Sequence, residues 1–205
     1  MPFEFDSAPV PVRPDIEAAF QRDWDRLRTP GTWWSGPERV AIARTARTSE
    51  SSAEIPARAN EAAETIARRP ASPTRSWVEE IAGEIGDEHY VELVGIVSRL
   101  SAIDSFHRAI GLPLEPLPEP LAGEPSRKEE PGAGRNPSWV PATSGASIVY
   151  ALSLVPAEMV AQEDLHGPLY LTYEGMSDLA YVGGLSRAQM ELVAARTSAV
   201  NECFY

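Results

Sequence analysis

The stretch DEHYVELVGIVSRLSAIDSFHRAI, Asp87 to Ile110, decides the fold. Tyr90, Val91, Leu93, Val94, Val97, Leu100, Ile103 and Phe106 recur along it at helical spacing. Asp87 stands where an N-cap belongs, and Gly111 supplies the stop. A stripe this wide leaves little polar face, so the expected helix is central and mostly buried. A central helix needs other helices around it, and the flanking sequence supplies them.

Upstream, Pro14 and Asp15 open a helix whose Ile16, Ala19, Phe20, Trp24 and Leu27 share one face, and Thr29-Pro30-Gly31 ends it. Trp33-Trp34-Ser35-Gly36-Pro37-Glu38 is a second helix entry, with Pro in the first turn and an acid near the positive end of the dipole, leading into Val40, Ala41, Ile42 and Ala43. An Ala- and Glu-rich helix is expected from about Ser52 to Arg69. A shorter one begins at Thr74 or Ser76, carries Trp77, Ile81 and Ile85, and closes at Gly86. The Trp pair reads as core or inter-subunit packing.

Downstream, residues 112–146 carry eight prolines and no periodic pattern, so they read as a linker or a wrapping arm, with Trp139 pinning it. A second lobe resumes at Ser147 with Ile148, Tyr150, Leu152 and Val155, breaks at Pro156, and passes through Tyr170, Tyr173, Leu179 and Gly183-Gly184 to a final helix. In that helix Ser186 and Gln189 form a capping box, and Met190, Val193, Ala194, Thr197 and Val200 make a stripe expected to face a core. The reading is an all-α protein: an N-terminal helical lobe over 1–111, a proline-rich connector over 112–146 and a C-terminal lobe over 147–205. Aligning Ala43-Arg44-Thr45 with Ala195-Arg196-Thr197 suggests two related lobes, or a coincidence between two Ala-rich helices; in that register Glu191 faces Arg39 and Cys203 faces Ser51.

A net charge of −12 argues against a nucleic-acid partner and against an anionic membrane surface. The longest apolar run, Ile148 to Val155, is too short to span a bilayer, and the acidic, proline-spaced N-terminus is unlike a signal peptide, so a cytoplasmic location is expected. Metal binding is set aside. His89 and Glu92, like Asp104 and His107, stand three apart on the long helix, where ion pairs are commoner than metal sites and no further ligand is evident.

The lone cysteine, Cys203, stands twelve residues after Glu191 and two before the end of the sequence. Taken alone, it reads as a small buried hydrophobe or a redox group. Leu185 to Tyr205 resembles the AhpD-like alkylhydroperoxidases of the carboxymuconolactone decarboxylase superfamily, in which a Glu precedes a Cys-x-x-Cys motif and a His. PGTWWSGPERVAIARTART at Pro30–Thr48 and AIDSFHRAIGLPLEPLP at Ala102–Pro118 add to the resemblance.

The resemblance implies an AhpD-like helical fold. Glu191 would be the proton-relay carboxylate and Cys203 the first, resolving cysteine. The attacking cysteine would fall on the residue after Tyr205, and the histidine four residues beyond that. The implied substrate is hydrogen peroxide or an organic hydroperoxide, the implied electron source a dithiol protein, and the implied assembly a homo-oligomer. No metal, haem or flavin cofactor is implied.

The end of the sequence at that position is expected to mark a selenocysteine codon read as a stop, with a frameshift, fragment or pseudogene as alternatives. Glu191 lies between Met190 and Leu192, so partial desolvation is expected to raise its pKa. A non-redox enzyme of the superfamily, using Glu191 and His107, and a non-enzymatic helical module are the other readings.

Overall fold

The computed structural model describes residues 3–135, 138–143, 150–172 and 175–202. The fold is all-α. The first four helices are α1 (Pro14–Arg28), α2 (Gly36–Thr48), α3 (Ala57–Arg68) and α4 (Arg75–Ile85). The central α5 (Asp87–Ala109) follows, then α6 (Pro156–Leu169) and α7 (Arg187–Val200). Just before α7, Val182–Gly183 and Leu185–Ser186 pair as a minimal antiparallel hairpin about Gly184, whose φ of 90° suits glycine. Among the described residues no helix is long and apolar enough to cross a membrane.

α5 packs against α1, α2, α3, α4 and α6, as its wide stripe requires. Val91, Leu93, Ile96, Val97, Leu100 and Ile103 form one core with Phe20 and Trp24 of α1, the Val40–Ala43 run of α2, Ala59, Ala62 and Ala63 of α3, and Val78 and Ile81 of α4. The small side chains on α2 and α3 let those helices approach closely. Phe3 and Phe5 seal the end near Phe106 and His107 with edge-on ring contacts.

Local chemistry sets the ends. Ser35 and Glu38 close a capping box on α2, and Thr74 accepts the Trp77 amide at 3.3 Å to start α4. Asp87 is not the cap of α5. Gly86 takes that place because its φ is 99°, and Asp87 pairs with Arg135 at 2.7 Å. α3 starts later than its composition suggests, since Asn60 holds the preceding turn, accepting from the Ser52 amide at 2.8 Å and donating to the Ser52 carbonyl at 2.9 Å.

The proline-rich segment is a wrapping arm. Its Pro116 carbonyl accepts from the Trp24 indole at 2.9 Å, and the amides of Leu121, Ser126 and Arg127 donate to the carbonyls of Arg28, Gly31 and Thr32 at 2.7, 3.1 and 2.8 Å. Arg127 stacks over Trp33, while Trp139 packs half-buried against the core.

Ser147, Ile148 and Tyr173 lie outside the described residues, but Leu154, Val155 and Leu165 belong to the core of the N-terminal helices, and α6 packs on α1 and α5. Pro156, expected as a break, is the first residue of α6, where its fixed φ and lack of an N–H carry no penalty. α7, by contrast, buries no residue and leaves Leu192 at 71%, Val193 at 60% and Val200 at 65% exposure.

Candidate functional site

Glu92 and Arg99 lie seven residues apart on α5, two turns along one face, inside a helix that is otherwise apolar on that side. Each meets charged partners from other elements. The Arg99 Nε donates to Asp23 Oδ1 of α1 at 2.6 Å, and its Nη2 pairs with Glu158 Oε2 in the first turn of α6 at 2.7 Å. Arg39, in the first turns of α2, donates through one nitrogen to Glu158 Oε1 at 3.1 Å and to Glu92 Oε1. Glu92 Oε2 accepts the Trp33 amide at 2.6 Å. The five side chains therefore form one chain of charge, Asp23, Arg99, Glu158, Arg39 and Glu92, drawn from four helices and buried throughout.

Two glycines make room for it. A Cβ on Gly31 would fall on Glu92 Oε1 and Arg39 Nη1 and within 2.9 Å of Glu92 Cδ. One on Gly95 would fall on Glu158 Oε2 and within 3.2 Å of Arg99 Nη1. The backbone thus approaches the charged groups as closely as side-chain sterics permit.

Three carboxylates face two guanidiniums, so one acid is in excess. Burial, reinforced by the Glu158 charge, pushes Glu92 above the ordinary carboxylate range against the pull of Arg39 and the Trp33 amide. Burial also works to raise Glu158, but Arg99 and Arg39 outweigh it and hold that group low. Two donors remain unused, Arg39 Nε and Arg99 Nη1, both buried and without a hydrogen-bond partner among the described residues.

Beside the cluster lies a cavity of about 590 Å³ between the end of α1, the Thr29–Thr32 turn, the start of α6 and the arm at Ser126 and Lys128. Arg39 and Glu158 form part of its wall. Its α1 side is tied to α6 by Asp164, which accepts from Arg22 at 2.7 Å and from Arg26 at 2.6 Å and is held low by those hydrogen bonds.

The residues singled out from sequence lie elsewhere. Glu191 is exposed on α7, where it accepts from Tyr170 Oη at 2.8 Å and from Arg187 Nε at 2.7 Å. Those bonds lower its pKa, with Tyr170 the larger influence, the reverse of the rise expected from its apolar sequence neighbours. Cys203 lies outside the described residues. Ten helical positions from Glu191 to Asn201 rise about 15 Å, so contact between the Glu191 carboxylate and residue 203 requires the chain to turn back. Glu202 has a φ of 55°.

His107 is buried among Phe3, Phe5 and Phe20 and bonded through Nδ1 to the Pro113 carbonyl at 2.7 Å. His89 sits between Trp33 and Trp34 with Arg127 at 3.0 Å, while Asp104 accepts from Arg47 at 2.6 Å. Neither spaced pair on α5 converges on a common point, and among the described residues no group of three His, Cys, Asp or Glu side chains could hold a metal. In the register that aligns α2 with α7, Arg39 is buried and Glu191 exposed, so the two helices do not share an environment.

Sequence reasoning missed Asp23, Arg39, Arg99 and Glu158 as a set. The visible trace was the pair of charges within the apolar run of α5, since Glu and Arg are rarely fully buried unless paired. No protein-family model, curated protein or solved structure matches this chain.

Proposed function

We propose that the protein works as an AhpD-like hydroperoxidase, reducing hydrogen peroxide or organic hydroperoxides through a thiol or selenol relay in the cytoplasm. The observation that carries the reading is the setting of Glu191. Tyr170 Oη and Arg187 Nε both donate to one of its oxygens, keeping an ionised proton acceptor on the helix that leads to Cys203.

In the chemistry proposed, the attacking thiolate or selenolate, three residues beyond Cys203, takes the distal oxygen of the peroxide and is oxidised to the sulfenic or selenenic acid. The leaving alkoxide or hydroxide takes a proton and departs as alcohol or water. The Cys203 thiol then condenses with the oxidised group, releasing water and forming the Cys203 bridge, which a dithiol protein reduces. Glu191 receives the proton that must leave a thiol before it can attack. The role asks the segment after Glu202 to fold back along α7. The exposed Leu192, Val193 and Val200 suit a homo-oligomer contact that would enclose such a site.

The experiment compares the present chain with one extended past Tyr205 by Cys, three residues and the motif histidine. With dithiothreitol as reductant, the extended chain is expected to consume cumene hydroperoxide well above the rate of reductant alone, and Glu191→Gln in that background to slow it. An extended, folded chain no faster than the reductant overturns the proposal.

A further inference from the structure

The cavity beside the charge cluster has walls that nothing in the peroxide reading uses. Three of its side chains are cationic, Arg26, Arg39 and Lys128, and one is acidic, Glu158, in a protein of net charge −12. Glu158 is already paired with Arg39 and Arg99, Arg39 also with Glu92, and Arg26 with Asp164, so the wall's pull on an anion rests on the donors these pairs leave unused and on Lys128. Lys128 is the only lysine of the chain, and it is exposed on the arm at the cavity's edge.

Deeper in, Arg39 is only 2% exposed, yet its Nε is buried with no hydrogen-bond partner among the described residues, and Arg26 keeps a buried Nη1 in the same state. A buried donor left unmade costs about 1–3 kcal/mol, and more when charged, so these positions favour an incoming acceptor. α6 begins at this cavity with Pro156 and Ala157 in the wall and no side-chain cap, so the positive end of a helix of 14 residues faces the same space. Pro30, Val160 and Ala161 supply an apolar side.

The geometry points to a binding site for a small amphiphilic organic anion. Its carboxylate or phosphate head lies between Arg26, Arg39 and the start of α6, its apolar body lies along Pro30, Val160 and Ala161, and Lys128 closes over it from the arm. A volume of about 590 Å³ accommodates such a ligand. No residue of α7 contributes to the wall, so the site stands or falls independently of the relay at Glu191.

Isothermal titration of the intact chain with octanoate, octyl phosphate, octanol and inorganic phosphate tests this directly. One of the two amphiphilic anions is expected to bind saturably and at least about tenfold more tightly than octanol or inorganic phosphate, and comparing octanoate with octyl phosphate identifies the head group. Lys128→Glu, at an exposed position, is expected to weaken that binding about tenfold, and Val160→Trp, also exposed, to abolish it by filling the apolar side. The proposal is overturned if octanol binds as tightly as the anions, if inorganic phosphate matches octyl phosphate, or if neither anion binds below about 10 mM. Unchanged binding in both folded variants would also overturn it.

Discussion

Gly31 and Gly83 allow the close packing around the charge cluster to be measured with one substitution, glycine to alanine, acting in opposite directions. At Gly31 the new methyl group would fall on Glu92 Oε1 and Arg39 Nη1, both buried and held by each other and by the Trp33 amide. Gly31 is not among the glycines with positive φ, so the cost is steric and not conformational. Overpacking a tight interior costs about 1–3 kcal/mol, and displacing one partner of a buried ion pair about 3–5 kcal/mol. A loss of about 3 kcal/mol is therefore expected for Gly31→Ala.

For a chain of this length that is a fall in Tm of about 6–12 °C. Gly83 lies exposed within α4 with no atom within 4 Å of its would-be Cβ, so Gly83→Ala should gain about 0.5–1 kcal/mol from helix propensity and reduced unfolded-state entropy. Thermal and urea unfolding followed by circular dichroism reads both. A Gly31→Ala protein within about 0.5 kcal/mol of the parent, alongside a stabilised Gly83→Ala, would show that the cluster yields freely and would refute the close-packed account.

Glu158→Gln should cost about 3–5 kcal/mol in urea unfolding, because two buried guanidiniums lose their shared carboxylate. Glu92 carries the opposite pH dependence to Glu158. Its folded pKa is raised, so its contribution is greatest at low pH and declines as pH climbs from about 4.3 through the folded value. Urea midpoints across the acidic range should lose that decline in Glu92→Gln, and an unaltered profile would show that Glu92 is ionised throughout. Tyr170→Phe should move the Glu191 carboxyl titration upward in ¹³C NMR, since the hydroxyl is the larger influence holding it down. Leu165→Ala should cost about 2–5 kcal/mol, whereas Leu192→Ala, on a helix that buries nothing, should stay within about 0.5 kcal/mol by the same melts.

The helices that could be read from the chain were those with strong local punctuation. Pro14, Pro37, Thr74 and Gly86 each set a terminus by a mechanism confined to a few residues, and α1, α2, α4 and α5 begin or end where that chemistry says. α6 escaped because a proline looks the same as a breaker and as a first helical residue. Only the burial of Ala161 and Leu165 against α1 and α5 decides which it is.

The charge cluster was illegible for a different reason. Arg39 and Glu158 are 119 positions apart and Arg39 and Glu92 are 53, so no local pattern pairs them. Glu191 shows how neighbours in sequence mislead. Met190 and Leu192 point away from it on a helix, whereas Arg187, one turn earlier, reaches its carboxylate, and that spacing was visible from the start.

The arm makes one mechanical unit out of two things that look separate. Ser126 and Lys128 are wall residues of the cavity, while the amide of Leu121 is tethered to the last residue of α1 and those of Ser126 and Arg127 to Gly31 and Thr32, which also line it. Those three protons can exchange with solvent only when the tethers break, and the same event unroofs the cavity. Amide exchange at these positions thus reports the opening equilibrium of the enclosure, and an occupant lodged within should slow all three together, leaving the amides of α7 unaffected.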